Sequence, residues 1–313
     1  MSAALTRYLS LRLLRAAATV WGVVTLVFLL VHAIPGDPVD AILGDQAAPE
    51  DRAALRTALR LDLPLTEQYA RFVGDAASGT LGYSFRQHDR TVAALVAEAI
   101  PHTVELALAA MLMALCVALP LGVLAAVRRG SAWDDCARLI ALLGVAVPTI
   151  WLGPLLVLLF GVKLRLLPMP GDQPQSAGAL VLPAVTVGMA LCAVLTRQTR
   201  AALLEVLSAQ YILAARARGV PRFSLLFKHA LRNALLPITT VAAAQLGALL
   251  SGAVIAEKIF ERPGLGTLFL EAFFDRDIPV VQGCVLLVAL IYVALNLLVD
   301  VLYGVLDPRV RIA

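Results

Sequence analysis

The chain has 313 residues, of which 60% are hydrophobic and only 15% charged, and its mean hydropathy is +0.84. Soluble domains have about 25% charged residues, so this composition excludes a soluble enzyme and indicates a membrane protein. The apolar runs are long and continuous, which predicts helices and excludes the alternating strands of a transmembrane barrel. In a membrane protein the basic residues behind the net charge of +4 indicate which loops face the cytoplasm, and no nucleic-acid partner is indicated.

Six apolar runs predict six transmembrane helices. The first is predicted to be an uncleaved span and not a signal peptide, because it exceeds a signal's apolar core and Pro35 follows almost at once. Alternate placement puts most basic residues on the side of the termini and most acidic residues on the other. The sequence therefore predicts an all-α polytopic bundle, a single domain over 1–313, with both termini in the cytoplasm. The six runs lie at about 16–34, 103–127, 136–160, 179–196, 234–256 and 280–303.

A large extracytoplasmic loop, 35–101, is predicted between the first two spans and is expected to form a small ordered cap. Pro49 and the two acids after it are typical of a helix start, and 78–84 is typical of a turn. An apolar helical face is predicted just before Pro101, and we expect it to lie along the membrane surface. That face consists of Val92, Leu95, Val96 and Ala99.

The second large loop, 197–232, is predicted to be cytoplasmic and carries seven basic residues against one acid, Glu205. Gly219 can end a helix that begins near Leu207, and Pro221 suits the first turn of the next helix. The pattern predicts a helix, a turn and a second helix with one apolar stripe, which would need a partner outside the membrane. The stripe consists of Phe223, Leu226, Phe227, Ala230 and Leu231.

Catalytic signatures are absent from the sequence. No lysine follows a phosphate-loop glycine, no H-E-x-x-H occurs, and the nearest serine-elbow pattern at 82–86 lacks its last glycine. The four cysteines show no metal-ligand or disulfide spacing. Asn296 and Asp300 share a face of the last span, where an ionisable group either locks helices together or serves the transport pathway.

The motifs, taken together and in order, resemble the dipeptide, oligopeptide and nickel permease family of ATP-binding-cassette importers. The most specific match is A-A-R-A-R-G at 214–219, followed by K-H-A-L-R-N-A-L-L-P at 228–237. The general family motif begins with Glu where this chain has Leu213, although the peptide subfamily often lacks that acid. Arg262 and Ile278 stand where family members often carry aromatic residues. Further matches are P-G-D-P at 35–38, L-D-L-P at 61–64, Gln68-Tyr69, T-L-G-Y-S at 80–84, P-G-L-G at 263–266, R-D-I-P at 276–279, N-L-L-V-D at 296–300 and D-P-R at 307–309.

This resemblance implies a permease subunit of the bacterial inner membrane that imports di- or oligopeptides and is not itself an enzyme. The implied partners are a second homologous permease, two ATPase subunits, an extracytoplasmic substrate-binding protein and membrane lipid. No metal or cofactor is expected on this chain, and ATP with magnesium is expected on the ATPase subunits. The implied ATPase-coupling residues are Ala214, Ala215, Gly219, Pro221, Phe223, Leu226 and Phe227. The implied outer-loop residues on the side of the binding protein are Glu257, Phe260, Pro263, Gly264, Gly266, Asp277 and Pro279.

Other interpretations stay open at this point. Similar permeases import nickel complexes, glutathione or opines, and the sequence does not choose among these solutes. A stand-alone ion-coupled transporter would use Asp300 or Glu105 as its ion-linked carboxylate, yet no inverted repeat is visible. An intramembrane enzyme would need a catalytic constellation that the sequence lacks.

Overall fold

The chain is helical over nearly all of the part that the structure, a computed structural model, describes: residues 3–33, 37–44, 47–172 and 176–306. Two of the α-helices continue into π-helical segments, Val157–Lys163 and Leu225–Leu231. The described residues contain one isolated β-bridge, Tyr83 with Thr91. The all-α prediction is therefore confirmed. The α-helices are α1 Ala3–Ala33, α2 Pro38–Leu43, α3 Pro49–Ala58, α4 Leu65–Ser78, α5 Val92–Val127, α6 Ala132–Ala146, α7 Thr149–Leu156, α8 Ala177–Leu207, α9 Gln210–Ala217, α10 Arg222–Ser224, α11 Arg232–Gly252, α12 Val254–Ile259, α13 Leu265–Phe274 and α14 Ile278–Leu306.

Four helices are long and apolar enough to cross a membrane: Val92–Val127, Ala177–Leu207, Arg222–Leu250 and Ile278–Leu298. A fifth candidate is the pair Ala132–Ala146 and Thr149–Lys163, which is bent by 98°. The described part of the first predicted span, Leu14–Leu30, is apolar but shorter. Four or five of the six predicted spans are thus supported, and the count of six stays a prediction.

The apolar run predicted as a span over 136–160 is bent in the structure. Val147 leaves the helical region with ψ 115°, and Pro148 caps the start of α7. A residue before proline is sterically disfavoured from helical geometry, and proline cannot donate the next helical hydrogen bond. The apolar run therefore continues past Val147 and Pro148, although the helix is interrupted there.

The helices fall into two compact units, of which the first comprises Met1–Thr103 and Pro263–Leu297. In this unit the predicted face that begins at Val92 is buried, and most of it packs against Leu265, Val280 and Cys284. The expectation that this face lies along the membrane surface is therefore wrong. Helix α5 continues through Pro101, and burial of the apolar face stabilises its packing against protein.

The described residues of the predicted cap over 35–101 form three helices before α5. Pro49 opens α3 in its first turn, as predicted, and Gly79 ends α4 in the left-handed region with φ +78°. Helix α4 packs on α1 through Phe72 and Phe28, and Thr25 and Tyr69 share a hydrogen bond of 2.7 Å. The described part of the cap is thus helical, and the aromatic contact between Phe72 and Phe28 packs it against α1.

The second unit comprises Val104–Arg262 and Leu298–Ala313. Its core includes Leu106, Ala110 and Leu195, all completely buried. A Cβ atom on Gly144 would lie 2.8 Å from the carbonyl oxygen of Met189, so α6 and α8 approach backbone to backbone there. Small residues at such crossings allow the close packing that holds helices together in a membrane.

Candidate functional site

The loop that joins α8 to α11 has the predicted form of two helical arms around a turn. The first arm is α9, and the second is α10 with the π-helical segment Leu225–Leu231. Gly219 adopts φ +80°, a left-handed conformation that glycine accepts without strain, and Pro221 caps the second arm. The first arm begins at Gln210 and not near Leu207, because α8 itself continues to Leu207.

One side of both arms is buried. Ile212 on the first arm, and Leu225 and Ala230 on the second, belong to a cluster with Ala202 and Leu203 of α8. Two of the predicted coupling residues, Ala215 and Leu226, are partly buried against this cluster. They therefore hold the arms in place and offer little of their own surface.

The two phenylalanines of the second arm are exposed and contact each other. Phe223 is 74% exposed and Phe227 45%, and their ring centroids lie 4.5 Å apart. The predicted single stripe is wrong in part, since Ala230 is buried on another side of the arm. Residues Leu225–Leu231 are π-helical, with hydrogen bonds from i to i+5, so the side chains there depart from the α-helical pattern on which the predicted stripe rests.

An exposed surface with a mixed apolar and basic character results. We call it the loop surface and define it as Ala214, Gly219, Pro221, Phe223 and Phe227, all of which are exposed. Arg216, Arg218 and Arg222 lie between these residues in sequence, Lys228 directly follows Phe227, and all four are also exposed. Exposed aromatic pairs rimmed by cations are typical of protein-binding surfaces.

The predicted outer-loop residues divide between the two compact units. In the second unit Glu257 is completely buried and Phe260 is 6% exposed. Arg262 is also buried there, and its Nη2 atom donates a hydrogen bond of 3.0 Å to Oε2 of Glu105. Glu257 and Phe260 therefore shape the backbone around them and present little surface to a partner.

In the first unit Asp277 is the centre of a buried polar cluster. Its carboxylate accepts hydrogen bonds from the hydroxyl of Ser84 and from the backbone N–H groups of Phe85, at 3.0 Å, and Arg86, at 3.3 Å. We call these four residues the Asp277 cluster. They join segments almost 200 residues apart in sequence, so the motifs at 80–84 and 276–279 form one structure.

The other outer-loop residues of the first unit lie in and next to a segment that is held by a backbone hydrogen bond. Gly264 and Gly266 are buried, and Leu265 between them donates its N–H to Oγ1 of Thr103 at 2.8 Å. Pro263 is exposed and Pro279 is half-buried. Of the seven predicted outer-loop residues, Pro263 has the most accessible position.

The two polar residues predicted to lie within the membrane are on α14. The side chain of Asn296 is exposed at the surface of the chain. Asp300 is within the helix, and its side chain lies outside the described part of the structure. Its role stays a prediction.

Comparison with known proteins identifies the family. Residues 118–312 match the family described as "Binding-protein-dependent transport system inner membrane component". The chain belongs to this family. Residues 5–107 match the N-terminal region described for the same kind of membrane component.

Curated relatives agree over almost the whole chain. The dipeptide transport system permease protein of Escherichia coli K12 is 40% identical over 93% of this chain and 94% of its own length. The di/tripeptide transport system permease protein of Pseudomonas aeruginosa is 39% identical over 94% and 95%. A putative peptide transport system permease protein of Brucella abortus is 41% identical over 92% and 94%.

The family membership confirms several predictions. The chain is a multi-pass inner-membrane permease of an ATP-binding-cassette transport system, and a transport subunit and not an enzyme. Permeases of this class work with an ATPase and a substrate-binding protein.

Sequence reasoning missed one charged cluster in this permease. Asp134, in the first turn of α6, is completely buried and receives two hydrogen bonds from Arg200 of α8, at 2.7 and 2.9 Å. Arg138 and the backbone N–H of Gly130 also donate to it. The only sequence signal was the pair of acids after Ser131, which is typical of a helix start and does not reveal Arg200.

Proposed function

We propose that this permease, paired with a second homologous permease, forms the pathway by which di- or oligopeptides enter the cell. The relatives named for dipeptide and di/tripeptide transport support the substrate class. In this proposal the chain is one transport domain with six spans and both termini in the cytoplasm. It binds no cofactor, and two separate ATPase subunits bind ATP and magnesium.

The loop surface carries the proposal. Phe223 and Phe227 keep a large apolar area in water, although one side of the same arms is packed into the protein. Apolar rings exposed to water do not stabilise the loop. When a partner covers them, each buried ring contributes substantially to the binding free energy. We propose that a groove of the ATPase covers these rings, with the surrounding cations at the edge of the contact.

The outer-loop residues have a different role in this proposal. Glu257, Phe260, Gly264, Gly266 and Asp277 are buried and fix the shape of the outer segments. Pro263, Pro279 and the exposed residues beside them meet the substrate-binding protein. Asn296 and Asp300 contact other helices of the transporter.

Co-purification tests the assembly. The tagged chain is purified from its native membrane in a mild detergent, and the bound proteins are identified by mass spectrometry. We expect a second permease of the same family and ATPase subunits. Recovery of the chain alone, under conditions that preserve other transport complexes, would contradict the proposal and favour an ion-driven transporter.

Uptake by the reconstituted complex tests the substrate. Proteoliposomes that contain the complex and its binding protein are given labelled dialanine, labelled glutathione or nickel. We expect ATP-dependent uptake of dialanine above both competitors. Uptake of only glutathione or nickel would keep the permease assignment and overturn the peptide assignment.

A further inference from the structure

The side-chain amide of Asn233 joins the two arms of the loop. Its Nδ2 atom donates one hydrogen bond of 2.7 Å to the phenol oxygen of Tyr211 on the first arm. It donates another, of 3.1 Å, to the carbonyl oxygen of His229 on the second arm. A carbonyl oxygen only accepts, so the contact with His229 fixes which end of the amide carries the two protons, and each proton serves one arm.

The arms are also joined at the opposite end of their length. There the chain itself connects them through the turn, which is fixed against the first arm by hydrogen bonds from Gly219 N–H to the carbonyl of Arg216, at 3.0 Å, and from Val220 N–H to the carbonyl of Ala215, at 3.2 Å. Between the two ends, Ile212 and Leu225 pack in the same buried cluster. The arms are therefore connected at the turn, along their buried sides and at Asn233.

Such a closed arrangement has a mechanical consequence. A turn with a single glycine allows two helices to swing about it, whereas a second connection at the far end removes that freedom. The bond partners Tyr211 and Asn233 are 22 residues apart in sequence, so the connection is not part of either helix's own backbone ladder. Two arms that cannot swing transmit a displacement of one to the other.

We propose that Asn233 is a positioning residue which, with Tyr211, closes the two arms into one rigid lever. Displacement of the loop surface by the ATPase then moves α8 and α11 together, and Gly219 is a fixed corner and not a joint. The proposal rests on the proposed function, because it takes the ATPase as the partner that displaces the loop.

The distance between the arms tests rigidity without any knowledge of the substrate. Exposed cysteines, Cys116 and Cys136, are replaced by serine, and spin labels are placed at L213C and K228C in the assembled complex. We expect one narrow distance distribution that stays the same with and without trapped ATP, and a broad distribution in N233A. A nucleotide-dependent change of this distance in the complex with native Asn233 would overturn the lever.

Coupling efficiency tests whether the bond matters for transport and not only for folding. We expect Y211F and N233A each to lower dialanine uptake per ATP hydrolysed by about fivefold, which is the factor expected for one net hydrogen bond. The double variant should be no worse than either single variant, because both remove the same bond. T239A removes only a local bond to the carbonyl of Leu236 and serves as the matched control.

The outcomes separate the lever from the proposed function. Failure of the native chain to retain ATPase subunits would overturn the proposed function and the lever with it. Retention of ATPase by N233A with unchanged uptake per ATP would overturn the lever alone. Retention of ATPase by N233A with reduced uptake per ATP, and an unaffected T239A, is the result that supports it.

Discussion

The loop surface and the Asp277 cluster use polar and aromatic side chains in contrasting ways. On the loop surface the aromatic rings are exposed and the cations around them face solvent. In the Asp277 cluster the charge is buried and every hydrogen bond it accepts comes from the same unit of the chain. The loop surface therefore has exposed side chains that another protein can contact. In the Asp277 cluster the hydrogen bonds are made within the chain and stabilise its own structure.

This difference separates two kinds of residue that the family resemblance groups together. Phe227 and Asp277 were both expected to serve partner contacts. Burial assigns them different tasks, because a residue that is 4% exposed, as Asp277 is, cannot offer its carboxylate to a partner without rearrangement. Substitutions should therefore affect binding in the first region and stability in the second.

The largest expected effect belongs to a buried charge in the same unit as the loop surface. We expect Asp134→Ala to lower the free energy of unfolding by about 4 kcal/mol, since it leaves Arg200 without its bidentate partner. Asp135→Ala is the matched control, because that side chain is 71% exposed and 3.5 Å from Arg138. Equilibrium unfolding in detergent measures both, and equal small losses would show that burial does not decide the effect.

A smaller loss of stability is expected in the Asp277 cluster itself. Asp277→Ala leaves the hydroxyl of Ser84 and the N–H of Phe85 without this acceptor and removes one of the two acceptors of the Arg86 N–H, and we expect a cost of about 3 kcal/mol. The same unfolding measurement applies. Normal stability with weakened binding of the substrate-binding protein would contradict the assignment of Asp277 to internal structure.

At the turn of the loop the expected effect is smaller again. A Cβ atom on Gly219 meets no atom within 4 Å, so the cost of a substitution comes only from its φ of +80°. We expect Gly219→Val to cost about 1–2 kcal/mol and to uncouple ATP hydrolysis from uptake. Gly219→Asn is the control, because asparagine tolerates this conformation. Normal transport by the valine variant would contradict the role of this turn in coupling.

The smallest effect is expected beside the Asp277 cluster. Asp275 pairs with Arg86 at 3.1 Å, yet the two side chains are 53% and 44% exposed. We expect Asp275→Ala to cost about 0.5 kcal/mol or less, because water and salt screen exposed ion pairs. A loss comparable to that of Asp277→Ala would mean that the exposed pair, and not the buried cluster, holds the two segments together.

Local chemistry predicted the turns and helix starts well. Gly219 and Pro221 mark the corner of the loop in the sequence because one accepts a positive φ and the other fixes a helix start. Pro49 marks the start of α3 for the same reason. These features depend on a few neighbouring residues and on nothing distant.

Features that depend on distant residues were not predictable. Ser84 and Asp277 are 193 positions apart, and neither residue type indicates the other. The segment Leu225–Leu231 is π-helical and contributes Leu225 and Ala230 to one buried cluster, whereas the sequence pattern assumed an ordinary α-helix. The bend at Pro148 lies within an apolar run, and hydropathy alone does not register a break in the helix.

Retention of the ATPase by two variants tests the central claim most directly. Phe223→Ala with Phe227→Ala removes the rings of the loop surface. The control, Phe273→Ala with Phe274→Ala, removes another exposed aromatic pair, with ring centroids 5.8 Å apart. We predict that the first variant retains about tenfold less ATPase on co-purification, as for loss of aromatic anchors at an interface, and that the control retains a normal amount. Equal retention by the two variants would contradict the assignment of the loop surface to the ATPase.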